Sequence, residues 1–296
     1  MKTTKRRGAV DYCNQVANPS PRFDVPPTHV SRLAFINDAV KKSHQVNVLL
    51  SDVAQWARSN NDRKKAFYKD RANAIKALVS CFAEHYNVIT GQVQISLRNA
   101  ADLCGLSTIS QREKDKAEAD PTYAPRPSIS RVSRAFKDMC ELGWVNAPQS
   151  WQIWDKAAHH WIDKIFELTP LFFKALGITP ERVERVRQAR LKYLAKKQYL
   201  GLTEQQLATT PLAEIKRIAR HVYARTIRER RESKQALSKL KRQALNKTPA
   251  EQRAVATERV IKRLGARVKH LSEQLFSQEV NQEVALIRRL LTPAPA

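Results

Sequence analysis

The sequence predicts a mainly α protein with small β elements, a winged helix-turn-helix followed by a basic helical domain. Three observations predict it. Between Gln92 and Leu168 the residues spell out strand, capped helix, glycine stop, basic helix and hairpin, in that order. After Pro170 the apolar residues recur almost wholly at helical spacing. Lys and Arg number 53 against 28 Asp and Glu, a formal charge of +25 with a pI near 10.2. A chain of 296 residues suits two domains with ordinary cores. The expected organisation is a basic flexible arm over 1–32, a winged-helix DNA-binding domain over 33–170, and a basic helical DNA-binding and assembly domain over 171–296.

Lys2, Lys5, Arg6 and Arg7 precede a stretch rich in proline and glycine without periodicity, hence the arm. From Leu33 to Ala57 the apolar residues fit a short strand leading into a short helix. Residues 63–86 read as a helix with Phe67, Ala74, Ile75, Leu78, Val79 and Phe82 on one side, a third packing surface for the winged element. Arg63, Lys64 and Lys65 at its start are unfavourable to the helix dipole and hint at a bound phosphate.

Val93 and Ile95 alternate with Gln92 and Gln94 in a short strand, and Ser96 is placed to accept the free amides of the next helix. Leu97, Ala100, Ala101 and Cys104 continue that helix until Gly105 stops it. Residues 107–127 form a spacer in which Pro121, Pro125 and Pro127 forbid a continuous helix, although Gln111–Ala119 allows one or two nearly neutral helical turns. Ser128 caps the second helix. Ile129, Val132, Phe136 and Met139 or Cys140 face inward there, while Ser130, Arg131, Ser133, Arg134 and Lys137 face outward. Gly143 ends it. Trp144-Val145 and Ile162–Leu168 then make two strands, joined by a loop from Ala147 to His160 whose Trp151, Trp154 and Lys156 either reach a minor groove or anchor the hairpin.

Leu171–Leu176 form a short apolar helix, and Thr179-Pro180-Glu181 starts another that turns basic, with seven cations against two acids over 181–197. A short helix over 203–210 precedes a long one over 211–245, which is open to a break near Ser233. Twelve Lys or Arg and three Glu lie between Leu212 and Lys247. Beyond Thr248-Pro249, Val260, Leu264, Val268, Leu271 and Leu275 suit an intramolecular bundle, or alternatively a coiled contact with another subunit. Val284, Ile287, Leu290 and Leu291 close the chain in a final helix.

A charge this large is relieved by a polyanion through phosphate neutralisation and counterion release, so nucleic acid is the expected partner. The major groove admits one helix whose Arg and Ser side chains meet base edges and phosphates. Arg131 and Arg134 are therefore the candidate base contacts, and Ser128, Ser130, Ser133 and Lys137 the candidates for positioning the helix on the backbone. Lys216, Arg217, Arg220, Arg225, Arg228, Arg230 and Arg231 are the candidate phosphate contacts. Other classes are disfavoured. No Gly-Lys-Ser or Gly-Lys-Thr loop suggests an ATPase, and the adjacent His159-His160 does not match the His-hydrophobe-His pair of nicking enzymes. Cys13, Cys81, Cys104 and Cys140 lack paired spacing, so no zinc site is expected, and Cys81, Cys104 and Cys140, among apolar helical positions, are expected as buried free thiols. With no signal peptide, lipidation signal or apolar run of about twenty residues, a cytoplasmic non-enzyme without cofactor, metal or membrane partner is expected.

The co-linear set Tyr12-Cys13-Asn14-Gln15-Val16-Ala17-Asn18-Pro19, 93-VQISLRNAADLCGLST-108, 128-SISRVSRAFKDMCELGWV-145, 165-IFELTPLFFKALG-177 and 212-LAEIKRIARHVYARTIRERR-231 resembles the RepA replication initiators of IncFII-type bacterial plasmids. The resemblance covers most of the chain. It implies a non-enzymatic initiator that binds double-stranded origin DNA, reshapes it, self-associates there and helps host DnaA and DnaB to assemble. A winged-helix transcriptional repressor or autoregulator is the alternative, and a structural protein binding nucleic acid without sequence readout is a third. The proline-rich spacer departs from the usual turn between two such helices.

Overall fold

The computed structural model describes residues 18–60, 65–120, 123–155, 159–162, 164–197 and 199–292. The first arm residues, Arg63 and Lys64, and Lys156 lie outside them. The fold is mainly α with small β elements, as expected, and divides into two compact units at Ala224/Arg225.

In the first unit the elements are α1 (Ala34–Gln45), α2 (Asp52–Asn60), α3 (Lys69–Glu84), α4 (Leu97–Leu103), α5 (Gln111–Ala119) and α6 (Ser130–Glu141), then β1 (Val145–Asn146), β2 (Trp154–Asp155), β3 (His160–Trp161) and β4 (Glu167–Leu168). After these come α7 (Pro170–Ala175), α8 (Pro180–Ala195), α9 (Glu204–Thr209) and the start of α10 (Leu212–Ala244). The apolar stripe of α3 is the axis of the core. Ile75, Leu78, Cys81 and Phe82 are fully buried, against α1 on one side and α4 and α6 on the other. Phe82, Phe136 and Phe166 meet with ring centroids 5.0–6.3 Å apart, joining α3, α6 and the approach to β4.

Both helices of the central pair end alike. Ser96 Oγ accepts the Asn99 amide at 3.1 Å and starts α4, and Gly105, at φ 63°, ends it. The Gly105 amide donates to Asp102 O and the Leu106 amide to Ala101 O, the double bond that closes a left-handed helix stop. Gly143, at φ 71°, repeats this after α6, with its amide on Cys140 O and the Trp144 amide on Met139 O. At the other end of α6 the expected cap is shifted. The helix begins at Ser130, and Ser128 Oγ accepts the amide of Ser130 itself at 3.3 Å rather than that of the second or third helical residue.

The spacer turns out to be a closed insertion. Thr108 and Ser128 exchange both backbone hydrogen bonds, at 3.1 and 2.7 Å, which brings the ends of α4 and α6 together as a short turn would. Residues 109–127 loop out from that base. Ser110 caps α5, and the Glu113 carboxylate accepts the Tyr123 hydroxyl at 2.8 Å and the Arg126 amide at 2.9 Å.

Three further expectations are corrected. Residues 34–45 are helical rather than a strand, because Phe35, Ile36, Ala39 and Val40 form a helical stripe against α3. The expected arm is packed from residue 18 onward in its described part. Phe23 is buried, and His29 and Arg32 pair with the buried Glu84 at the end of α3. The expected break at residue 170 is not a break in packing, since Phe172 and Phe173 of α7 belong to the same core. Cys81 and Cys104 are buried free thiols, and Cys140 is half-buried.

β1 and β4 are antiparallel, pairing Val145 with Leu168 and Asn146 with Glu167, and Gln92 bridges to Glu167 on the other edge. The expected strand over 162–168 is thus confined to its last residues. The loop between carries its own hairpin, in which Trp154 opposes Trp161 and Asp155 opposes His160.

In the second unit, the end of α10 packs with α11 (Pro249–Leu264) and α12 (Glu273–Leu291) around Leu240, Ala244, Ala256, Val260, Val280, Val284 and Ile287, an intramolecular bundle. Helix α10 runs unbroken through Ser233. The stripe from Val260 to Leu275 is divided between α11, a 3-10 turn over Gly265–His270 and α12. Glu283 is buried beneath Arg259, at 2.6 Å.

Glu113 allows a test of the insertion. The Arg126 amide, then the Tyr123 hydroxyl, hold its carboxyl down from 4.5 to about 2. The ionised form is the better acceptor, so its contribution is complete above the ordinary carboxylate range and is lost as pH falls through about 2. The Arg126 amide resonance is expected to keep its position at pH 4 and to move with a midpoint near 2.

Candidate nucleic-acid interface

Helix α6 has two chemically distinct sides. Val132, Ala135, Phe136 and Met139 are buried, each large side chain stabilising the packing by roughly 1.5–3 kcal/mol. Asp138 ties the same side to α3 through Arg71 at 2.8 Å. Ser130, Ser133, Arg134 and Lys137 are exposed along the opposite side, and Ser128 is exposed just before it. Lys137 makes a long 3.9 Å pair with Glu141. Five of the six candidates on this element therefore share the solvent face that their spacing implied.

Arg131 departs from it. Its Nη1 and Nη2 are buried without a hydrogen-bond partner, and burial pulls the guanidinium below its ordinary pKa while Asp70 opposes the shift. The spacing put Arg131 at the edge of the polar side. There the packing of α3 decides whether a long side chain lies in or out, and sequence periodicity does not resolve that edge.

The cations of α10 divide by environment. In the first unit Lys216 Nζ lies 2.7 Å and Arg220 Nη1 3.2 Å from the two oxygens of Glu167, whose side chain is 9% exposed. Arg220 also stacks over Trp151, 4.4 Å from the ring centroid, so Trp151 anchors the hairpin to its own unit. Arg217 pairs with Glu214 at 2.6 Å on the exposed side. Lys216 and Arg220, expected among the phosphate contacts, are thus engaged by protein. In the second unit Arg225 and Arg230 are exposed, and Arg225 is held only by Glu229 at 4.0 Å, whereas Arg228 and Arg231 are half-buried.

Sequence reasoning missed Glu167. Alternation placed Phe166 and Leu168 inward and left Glu167 to solvent. Lys216 and Arg220 of α10 reach it from the other side, so that both residues of β4 are buried while Asn146 opposite Glu167 stays exposed. An acid between two apolar strand residues, with a basic helix later in the chain, was the available signal. Among the described residues no group of three or more His, Cys, Asp or Glu is placed to hold a metal, and no helix is long and apolar enough to cross a membrane.

Removing one partner of a buried pair leaves the others uncompensated. Glu167→Gln is expected to lower stability to urea by about 3 kcal/mol, at the low end for buried pairs because Lys216 and Arg220 keep some solvent contact. The replacement Glu167→Leu with Lys216→Met and Arg220→Met should recover much of the loss, as unfolding midpoints will show.

Residues 11–292 match the IncFII RepA protein family. A probable replication-associated protein repA1 from Buchnera aphidicola subsp. Schizaphis graminum is 30% identical over 244 residues, covering 78% of each chain. Its counterpart from Buchnera aphidicola subsp. Acyrthosiphon pisum is 27% identical over 237 residues, 77% of each. A replication initiation protein from Escherichia coli is 28% identical over 182 residues, 61% of this chain and 58% of that one. No solved structure matches. With the match spanning both compact units, the chain belongs to the IncFII RepA protein family.

Proposed function

We propose that this protein initiates plasmid replication by binding double-stranded origin DNA, with residues 92–168 acting as a winged helix-turn-helix. Helix α6 enters the major groove. Arg134 reads bases from the exposed face, Ser128, Ser130, Ser133 and Lys137 set the helix on the phosphates, and Arg131 joins the base contacts by rotating out of a site where its guanidinium is unpaired. The observation that carries this reading is the exposed row Ser130, Ser133, Arg134 and Lys137 on a helix whose opposite side is fully packed. The segment order and the single β-bridge of Gln92 to Glu167, beside the β1–β4 pair, support it, although residues 92–95 do not form the strand expected of them.

Basic residues of α10, Arg217, Arg225 and Arg230 foremost, supply grip on phosphate, with Arg228 and Arg231 behind them and Lys216 and Arg220 serving chiefly as partners of Glu167. Bending a site of twenty to thirty base pairs costs on the order of 1–6 kcal/mol, and each specific base contact returns roughly 1–3. Two contact regions together cover that cost where one helix barely would. The protein itself performs no covalent chemistry in this reading. Strand opening is completed by host DnaA and DnaB, as the family resemblance implies, and self-association on the origin adds further contacts. Repression of its own promoter is the second reading, since the same helix would serve an operator.

The test joins the gene and its neighbouring DNA to a selectable fragment lacking any other origin. Establishment should require the intact protein, and Arg134→Ala should lower the ratio of specific to scrambled DNA affinity about tenfold while leaving the thermal midpoint unchanged. A fragment that replicates equally well without the protein, with rising transcription from the adjacent promoter, would instead establish repression.

A further inference from the structure

The insertion between α4 and α6 has a defined place. It is joined to the body by the Thr108–Ser128 bridge, immediately before the first residue of α6. Its returning strand is held at two points. Glu113 accepts the Arg126 amide, and Arg98 Nη1, from α4, donates to Pro127 O at 2.9 Å. Pro125 and Pro127 flank Arg126, fixing φ at their own positions and biasing the residue before each towards extended backbone. The backbone on both sides of Arg126 is therefore restrained from within the fold.

Its charge is equally particular. Residues 109–127 hold four cations and four acids, so the insertion adds no net attraction for a polyanion. Arg126 nevertheless stands exposed, and its guanidinium makes no hydrogen bond or ion pair among the described residues. Arg98 and Arg126 line one concave surface together with Asp120, Tyr123 and Pro127, and Asp120 is itself already engaged. Two cations thus converge beside the start of α6, on a module otherwise balanced in charge.

We propose that Arg126 is a specificity-determining DNA contact, entering the minor groove next to the major-groove segment met by α6. This rests on the reading of α6 as the groove-entering helix. From Ser128 back to Arg126 the backbone spans at most about 7 Å, and the arginine side chain extends the reach by a similar length, enough to cross one sugar-phosphate strand. An arginine there reads groove width, which narrows in A·T-rich DNA and deepens its negative potential. Arg98 backs the strap by fixing Pro127, a positioning role.

The test is selection of a randomised duplex library with the full chain, comparing wild type with Arg126→Ala, Arg126→Lys and the α5 surface control Lys114→Ala. Alanine keeps the backbone amide that Glu113 binds, so the insertion should remain folded. Wild type and the Lys114 variant should select a core motif with an A·T-rich flank on one side. Arg126→Ala should keep the core and the thermal midpoint, lose the flank, and bind the wild-type motif about tenfold more weakly; Arg126→Lys should recover affinity without the flank. Retention of the flank by Arg126→Ala, or loss of core and flank together, would overturn the assignment. A wild-type protein that selects no motif would overturn the reading of α6 first and this inference with it.

Discussion

A carboxylate buried between two cations, Glu167 with Lys216 at 2.7 Å and Arg220 at 3.2 Å, constrains the whole face built from α6 and the small sheet. Such a group is costly to bury alone and tolerable only with its partners in place, so the start of α10 and β4 are held in one arrangement. From β4 the constraint passes to β1 by pairing, and to the end of α6 through Thr169, whose hydroxyl donates to Gly143 O and whose amide donates to Trp144 O. Gly91 fits the same corner. It is the φ of 79° that favours glycine there, since a Cβ would meet Glu167 at 3.5 Å and Lys216 at 3.6 Å, ordinary contact distances. Cations that composition alone would assign to phosphate are in this way partly employed in holding the fold.

The insertion illustrates a second constraint, that α4 and α6 meet at short range whatever lies between them in sequence. Two backbone hydrogen bonds between Thr108 and Ser128 satisfy it, and the intervening residues become a side module rather than a slack linker. A structureless loop of that length inside a compact unit would be unusual, whereas one with a capped helix and a shared acceptor at Glu113 is not. Its position before α6 places Arg126 beside the start of that helix.

Local signals were legible and non-local ones were not. Ser96, Thr179 and Thr248 cap the helices they were expected to start, and Gly105 and Gly143 end theirs, because capping is decided by a few adjacent residues. The polar side of α6 was legible for the same reason, up to its edge at Arg131. The segment 34–45 was misread as a strand because mixed polar and apolar residues there carry a helical period that only its packing on α3 makes decisive. Glu167, Lys216 and Arg220 lie about fifty residues apart, and nothing local marks the acid as a partner of the cations. The Thr108–Ser128 closure likewise has no residue signature, being made by backbone groups that every sequence carries.

The central claim is that the exposed side of α6 lies in the major groove of origin DNA. Site-specific photo-crosslinking tests it most directly, with a photoreactive residue in place of Ser133 and, as control, in place of the exposed Trp56 on α2. The account predicts crosslinks from position 133 to bases of the DNA beside the gene, competed away by that duplex but not by a scrambled one, and none from position 56. Equal crosslinking from both positions, or none from 133 while the complex is intact, would contradict it.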